Sequence, residues 1–122
     1  MNNTFNKQER LCSKKQMELL FSKGKSKIIT PIKLVWLTSP VNLKYPAQVM
    51  FVVPKKQFKN ANDRNKLKRR MREAYRLNKT TFYKSLINSG IKIILAVIYT
   101  EKSTAEYVVI EKALQKQFEY FK

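Results

Sequence analysis

The stretch "DRNKLKRRMREAYR", residues 63–76, places seven Lys or Arg residues within fourteen positions. Its apolar residues still recur with helical spacing, and at 100° per residue four of them share one core-facing stripe. The stretch therefore predicts an amphipathic helix over about residues 62–78 with strongly cationic outer faces. The four residues of the stripe are Leu67, Met71, Ala74 and Tyr75.

The cations of this helix form a band beside the stripe. Arg64, Lys68 and Arg72 make an i, i+4, i+8 row, in which like charges repel by a few tenths of a kcal/mol per pair. A partner outside the fold must compensate for this repulsion. Guanidinium groups bind phosphates bidentately, so a phosphate-rich partner would do so. The pattern therefore indicates that the helix binds a polyanion. Around the row lie Asn65, Arg69 and Arg76, with Lys66 and Arg70 on the opposite flank.

The composition points to one domain with a basic surface. A chain of 122 residues, 43% of them hydrophobic, is long enough to bury a core and short for two domains. Its 26 Lys and Arg against 8 Asp and Glu give a formal net charge of +18. Such an excess repels itself unless a polyanion neutralises it, and nucleic acid or an acidic membrane surface are the usual candidates. We expect residues 1–122 to form a single domain that binds a polyanion, with about the first ten residues flexible.

Membrane and enzyme classes find little support in the sequence. The longest apolar run, "IILAVIY" at residues 93–99, is far too short to span a bilayer and reads as a buried strand. The N-terminus has no apolar stretch of a signal peptide, and a single cysteine, Cys12, fits a reducing cytosol. The chain has no histidine, and its acids are scattered singly. These observations favour a cytoplasmic binding protein without catalytic or metal-ligating residues of its own.

Five further elements surround the basic helix. Ser13 and Gln16 have the form of a capping box before a helix over residues 14–23, which Gly24 ends. A second capping box, residues 103–106, opens a C-terminal helix. The predicted order is α-β-β-α-β-α, one layered α+β domain. The three strands are "PIKLVWLT" (31–38), "AQVMFVV" (47–53) and "GIKIILAVIYT" (90–100), and the C-terminal helix buries Tyr107, Ile110, Leu114, Phe118 and Phe121.

Several details of this arrangement are expectations from local pattern. The first two strands are expected to pair as a hairpin, and residues 79–90 to form a helical turn and loop. Residues 28–30 can add a short extra strand before Pro31. Periodicity does not decide whether helices cover one sheet face or both. If one face stays open, it is the less apolar one, which bears Lys33, Val35, Gln48 and Met50.

The segment "PKKQFKNANDRNKLKRRMREAYRLNK", residues 54–79, resembles the signature of the bacterial ribonuclease P protein family. In that signature an Arg-Asn-Arg helix entry precedes Lys-Arg and Arg-Glu-Ala-aromatic. The opening helix "RLCSKKQMELLFSKGKS", residues 10–26, is similar to the family as well. At the third position of the Arg-Asn-Arg element this chain has Lys66, which keeps the positive charge but lacks the planar guanidinium group of arginine. The matching positions are Arg64, Asn65, Lys68, Arg69, Arg72, Glu73 and Ala74, with Tyr75 as the aromatic residue.

The resemblance implies both a fold and a function. The fold would be a single two-layer α+β domain similar to the second domain of ribosomal protein S5, with a left-handed β-α-β crossover around the basic helix. The function would be that of the small protein partner of a catalytic RNA that removes the 5′ leader of precursor tRNA. The RNA, with bound Mg²⁺, would carry out hydrolysis, so the protein alone is expected to be inactive. The implied partners are the catalytic RNA and precursor tRNA, without a membrane or an obligate protein partner.

The resemblance also implies two sites. The cleft between the first helix and the open sheet face would take the leader, with Phe21 and Met17 on the helix and Lys33 and Val35 on the floor. An aromatic ring there can stack on any base. From periodicity alone, core packing stays open for Phe21 and is the preferred interpretation for Met17. The basic helix would face the catalytic RNA through Arg64, Asn65, Lys66, Lys68, Arg69, Arg72 and Arg76.

Two other functions remain open from the residues alone. The first is a ribosomal or assembly RNA-binding protein of similar fold that has no association with an enzyme. The second is a DNA-binding module, which is disfavoured because no compact helix-turn-helix pattern surrounds the basic helix.

Overall fold

A four-stranded sheet with helices on both faces forms the fold in the computed structural model, which describes residues 4–121. The observed order confirms the predicted α+β class and adds one strand between the first helix and the first predicted strand. In chain order the elements are a 3-10 turn (Lys7–Glu9), α1 (Lys14–Lys23), β1 (Lys25–Ile29), β2 (Ile32–Thr38), β3 (Ala47–Val52), α2 (Ala61–Ser89), β4 (Ile93–Tyr99) and α3 (Tyr107–Glu119).

The strands lie in the order β1-β2-β4-β3, so the predicted hairpin of β2 with β3 is wrong. β2 instead forms a hairpin with β1, closed by Ile29 opposite Ile32. β4 lies between β2, its antiparallel neighbour, and β3, its parallel neighbour. The reason is burial: six of the seven residues of β4 are buried, and a strand that is apolar on both faces belongs in the middle of a sheet.

The β3–α2–β4 unit is a crossover that joins two parallel neighbours, and it fixes where the main core lies. α2 and α3 pack together on one face of the sheet, where the predicted stripe of α2 is fully buried. On α3 the predicted apolar face is confirmed, since Ile110, Leu114 and Phe118 are buried and Tyr107 and Phe121 pack against them.

The opposite face is covered in part by α1. Leu20 of α1 packs with Val35, Ile94 and Ala96 in a second, smaller core. Gly24 makes this approach possible, because a Cβ atom there would lie only 2.9 Å from Cγ1 of Val35 on β2. Helices therefore cover both faces, but the second face is left open toward β1.

α2 is longer than predicted, and the expected turn and loop over residues 79–90 is wrong. The helix continues to Ser89, with Phe82, Tyr83 and Leu86 buried on the same side as the stripe. It ends at Gly90, whose φ of 71° is left-handed, a conformation that favours glycine.

Of the two predicted capping boxes, the one before α1 forms one of its two hydrogen bonds, and the one before α3 does not form. The Ser13 hydroxyl accepts a hydrogen bond from the Gln16 backbone N–H at 3.3 Å. The reciprocal bond is not made, because the buried Oε1 of Gln16 has no partner among the described residues. At α3 the N-cap is Glu106, while the carbonyl of Ser103 accepts from the Tyr99 hydroxyl, so residues 103–106 form no capping box.

Residues 4–10, part of the segment expected to be flexible, lie against the rest of the chain and make specific contacts with it. Glu9 is fully buried, and Leu11 donates its backbone N–H to the Val49 carbonyl at 2.9 Å. Residues 1–3 lie outside the described residues.

Candidate nucleic-acid interface

The outward side of α2 is a cationic surface on a rigidly held helix. Its inner stripe is fully buried, so the backbone cannot rotate away from the core. Lys68 lies at the boundary and is half-buried. Four of the seven residues predicted to bind RNA are exposed: Asn65, Lys66, Arg69 and Arg72.

Arg64 braces the start of α2 as well as extending the cationic row. Its Nη1 donates to the carbonyl of Phe58 at 2.7 Å and to that of Lys59 at 2.9 Å. Asn60 caps the helix, since its side chain accepts from the Asn62 backbone N–H at 2.8 Å. The guanidinium group of Arg64 thus ties the preceding loop to the helix, a role that helical periodicity did not indicate.

Arg76 and Arg70 also have partners within the chain. Arg76 forms a bidentate pair with Glu73, with the shorter contact at 2.5 Å, and hydrogen bonding by Arg76 lowers the pKa of the Glu73 carboxyl. Arg70 donates to the carbonyl of Ala105 at 2.6 Å, on the approach to α3. The cationic run therefore divides into residues that brace the fold and residues that face outward.

The residues assigned to the candidate leader cleft differ in exposure. Phe21 is 50% exposed on the surface of α1, which disfavours core packing for this ring. Val35 is 6% exposed and packs beneath α1, so it presents little surface to a strand lying in the cleft. Met17 packs partly buried against the same core, as preferred from its periodicity.

The register identifies the floor of the cleft. Lys33 lies directly opposite Ile28 of β1 and Ile98 of β4, and residues opposite each other share a face. Lys33 and Ile98 are half-buried, and Ile28 is 60% exposed. Neither isoleucine could be assigned to the floor from the sequence, because residues 28–30 give only a weak strand signal and the neighbours of β4 follow only from the register.

A second group of cations lies where β3 and β4 end. Lys56 and Lys102 line a shallow pocket with Tyr99, and Gln57 spans it by donating to the Thr100 carbonyl at 2.9 Å. Two buried atoms there, Gln57 Oε1 and Thr100 Oγ1, have no partner among the described residues. This pocket has no signal in the sequence, since its two sides come together only through the parallel pairing of β3 and β4.

A buried polar network holds the N-terminal segment against α2. The Nζ atom of Lys79 lies 2.7 Å from Oε2 of Glu9, and the Tyr83 hydroxyl donates to the same oxygen at 2.6 Å. Burial alone would raise the pKa of Glu9, but these hydrogen bonds and one from the backbone N–H of Asn6 lower it below its usual value. Burial raises the pKa of Tyr83 and of Tyr75, which donates to it at 3.1 Å.

An α+β domain that presents a cationic face on an anchored helix, beside a cleft with an exposed aromatic ring, is a nucleic-acid-binding protein. The family model for ribonuclease P matches residues 5–122. The chain belongs to the ribonuclease P protein family.

Individual relatives agree with this assignment. The ribonuclease P protein component of Porphyromonas gingivalis is 30% identical over 110 residues, covering 90% of this chain and 80% of the relative. That of Chlorobium phaeobacteroides is 38% identical over 105 residues, covering 80% of this chain and 72% of the relative.

Two solved structures share the fold. The ribonuclease P protein of Thermotoga maritima superposes with a TM-score of 0.72 at 24% identity, covering 92% of this chain and 96% of that one. The Staphylococcus aureus protein has a TM-score of 0.73 at 20% identity, covering 93% and 95% of the two chains. At these identities the likeness concerns the fold alone.

Proposed function

We propose that the outward face of α2 binds the catalytic RNA of ribonuclease P and that the cleft beside α1 takes the 5′ leader of precursor tRNA. Membership of the family makes the chain the protein subunit of this ribonucleoprotein endoribonuclease, which removes the leader to give the mature 5′ end. An RNA-binding protein without enzyme association, the alternative left open by the sequence, is not favoured by this membership.

The observation that carries the proposal is the split of α2 into a fully buried stripe and an exposed cationic face. A helix held in this way keeps the Cα atoms that carry the cations at fixed spacing when RNA approaches. Guanidinium groups at helical spacing lie several ångströms apart, comparable to successive phosphates along a nucleic-acid backbone. Arg69 and Arg72 are the residues best placed for such contacts.

The leader assignment is supported by the chemistry of the cleft. Phe21 offers an exposed ring face for stacking, which every base can use regardless of sequence. Lys33 on the floor adds a cation between two isoleucines. A groove that combines an aromatic ring, a cation and apolar floor residues suits a single strand of variable sequence.

We propose that the Mg²⁺ ions that the reaction needs lie mainly on the RNA subunit. Among residues 4–121 no three His, Cys, Asp or Glu side chains come together as a dedicated metal site. The carboxylates of Glu9 and Glu73 are each engaged by a cation of the chain.

Two further statements about the surroundings of the protein belong to the proposal. None of the helices among residues 4–121 is long and apolar enough to cross a membrane. We propose a cytoplasmic location, and assembly with RNA without an obligate protein partner.

Reconstitution tests the proposal directly. Purified protein, catalytic RNA and their mixture are each incubated with precursor tRNA at low Mg²⁺, and cleavage at the mature 5′ end is measured. We expect no cleavage by the protein alone and restored processing in the mixture, because the chain supplies positioning and charge rather than acid–base groups. Site-specific cleavage by RNA-free protein would overturn this division of labour.

A further inference from the structure

The N-terminal segment brings a cation to the basic helix that helical periodicity could not reveal. We propose that Arg10, Lys68 and Arg72 together form a binding site for one phosphate of the catalytic RNA that lies on α2. This inference rests on the proposed function and adds to it a residue outside the basic helix.

The three side chains surround one pocket at the edge of the sheet. The N-terminal segment forms one wall and α2 the other, with β3, the edge strand, beneath them. No acidic side chain lines this pocket. Its lining residues are Phe5, Arg10, Leu11, Cys12, Val49, Met50, Phe51, Lys68 and Arg72.

Arg10 is held in an outward position by its neighbours in the chain. Its backbone is extended, with φ −95° and ψ 131°, so its side chain points away from that of Glu9. Glu9 is buried in its network with Lys79 and Tyr83, which leaves Arg10 facing solvent. The adjoining hydrogen bond from Leu11 to Val49 and the isolated bridge of Arg10 with Val49 fix the segment along β3.

The arrangement suits a phosphodiester better than any group within the chain. Arg10 and Arg72 are exposed and Lys68 is half-buried, so a phosphate can reach all three from solvent. The guanidinium carbon of Arg10 lies 5.3 Å from the Phe5 ring centroid. This cation–π contact orients the guanidinium group without neutralising its charge. Three cations around one pocket repel each other, and a bound phosphate relieves that repulsion. The pocket continues the row of α2, so we assign the phosphate to the RNA bound there.

Cys12 provides a native probe, because it is the chain's single cysteine, is exposed and lines the same pocket. Its alkylation by iodoacetamide is measured with and without catalytic RNA, and we expect the RNA to slow the reaction.

Arg10→Ala should weaken binding of the catalytic RNA about tenfold and lower the slope of log affinity against log salt by about one. Arg10→Lys should recover part of the affinity, while Lys7→Ala, the removal of another exposed cation of the segment, should leave affinity unchanged.

The outcomes separate this inference from the proposed function. Arg10→Ala is expected to unfold at the wild-type temperature. If it is destabilised, the protection of Cys12 in the wild type and the affinity of the charge-retaining variant Arg10→Lys decide the question. If Arg69→Ala weakens binding while Arg10→Ala does not and Cys12 stays reactive, the phosphate site is refuted and the function stands. If neither variant weakens binding, the assignment of α2 to RNA fails. Protection of Cys12 by precursor tRNA alone would overturn the assignment to the catalytic RNA.

Discussion

Glu9 and Lys79 form a buried ion pair between residues that lie 70 positions apart in the sequence. Their attraction must offset the cost of removing two charges from water, and such pairs often contribute little net stability. Here the carboxylate also accepts from Tyr83 and from the backbone of Asn6, so its oxygens are well satisfied. The pair therefore fixes the N-terminal segment in one place. Removing one partner leaves the other charge buried without a counter-ion, which costs stability.

We predict that Lys79→Met destabilises the protein by about 3–5 kcal/mol, because it leaves the Glu9 carboxylate buried without its cation. The double variant Glu9→Gln/Lys79→Met should recover a large part of this loss. Urea denaturation of the wild type and the variants measures both effects. Equal stability of Lys79→Met and wild type would show that the segment is not held by this pair.

Acid should weaken the same contact. The pKa of Glu9 is lowered in the folded protein, so its contribution is present above the unfolded-state pKa and is lost as the pH falls through the folded one. We predict that stability declines below about pH 4, the ordinary carboxyl range, and that Glu9→Gln declines less steeply. Glu73→Gln is the control, since its pair with Arg76 is partly exposed to solvent and contributes little. A wild-type slope retained in Glu9→Gln would contradict the prediction.

Phe21 allows a test of the leader cleft. We predict that Phe21→Ala weakens holoenzyme binding of precursor tRNA by about 1–3 kcal/mol, the usual value of one base–aromatic stack. Mature tRNA should be barely affected, because it has no strand to stack. The measurement is a binding series over progressively shorter leaders, with Arg69→Ala as a variant expected to affect all lengths alike. An equal loss for Phe21→Ala at every length, zero included, would place the leader elsewhere.

At the scale of elements, α2 shows what periodicity can and cannot predict. Its first half was predicted with its buried stripe, since Leu67 and Met71 repeat at helical spacing. Its second half was missed because Lys79 stands at a core position, and only a partner seventy residues away, Glu9, makes that burial acceptable. The spacing of Asn6 and Glu9, a capping box, was the one local signal that this acid is structural.

The two roles of the α2 arginines lead to a prediction at this scale. Arg69→Ala should weaken binding of the catalytic RNA and lower its salt slope by about one, without a change in unfolding temperature. Arg64→Ala should weaken binding and also cost about 1–2 kcal/mol of stability, because two backbone carbonyls lose their donor. Lys84→Ala, an exposed cation of the second half, is the matched control. Reduced stability in Arg69→Ala would mean that this residue is structural.

For the whole molecule, element types were predictable and their neighbours were not. Alternation along β2 and β3 identified their faces but not their partners. The run "IILAVIY" is apolar on both faces and therefore indicates a central strand, although it does not say which two strands lie beside it. The same non-local pairing decides the cleft floor, so Ile28 and Ile98 could not be assigned before the register was known.

The net charge of +18 predicts two salt dependences of opposite sign. Screening relieves self-repulsion, so we expect the unfolding temperature of the free protein to rise as salt increases from about 0.05 to 0.5 M. Binding to the catalytic RNA should weaken over the same range, because counterions compete for its phosphates.

The double variant Lys112→Gln/Lys116→Gln separates the two effects, since both residues are exposed on α3 rather than on α2. It should raise the unfolding temperature at low salt and leave the salt slope of RNA binding unchanged. A slope that falls by about two would instead show that α3 also contacts RNA phosphates, and the interface would then extend around the domain.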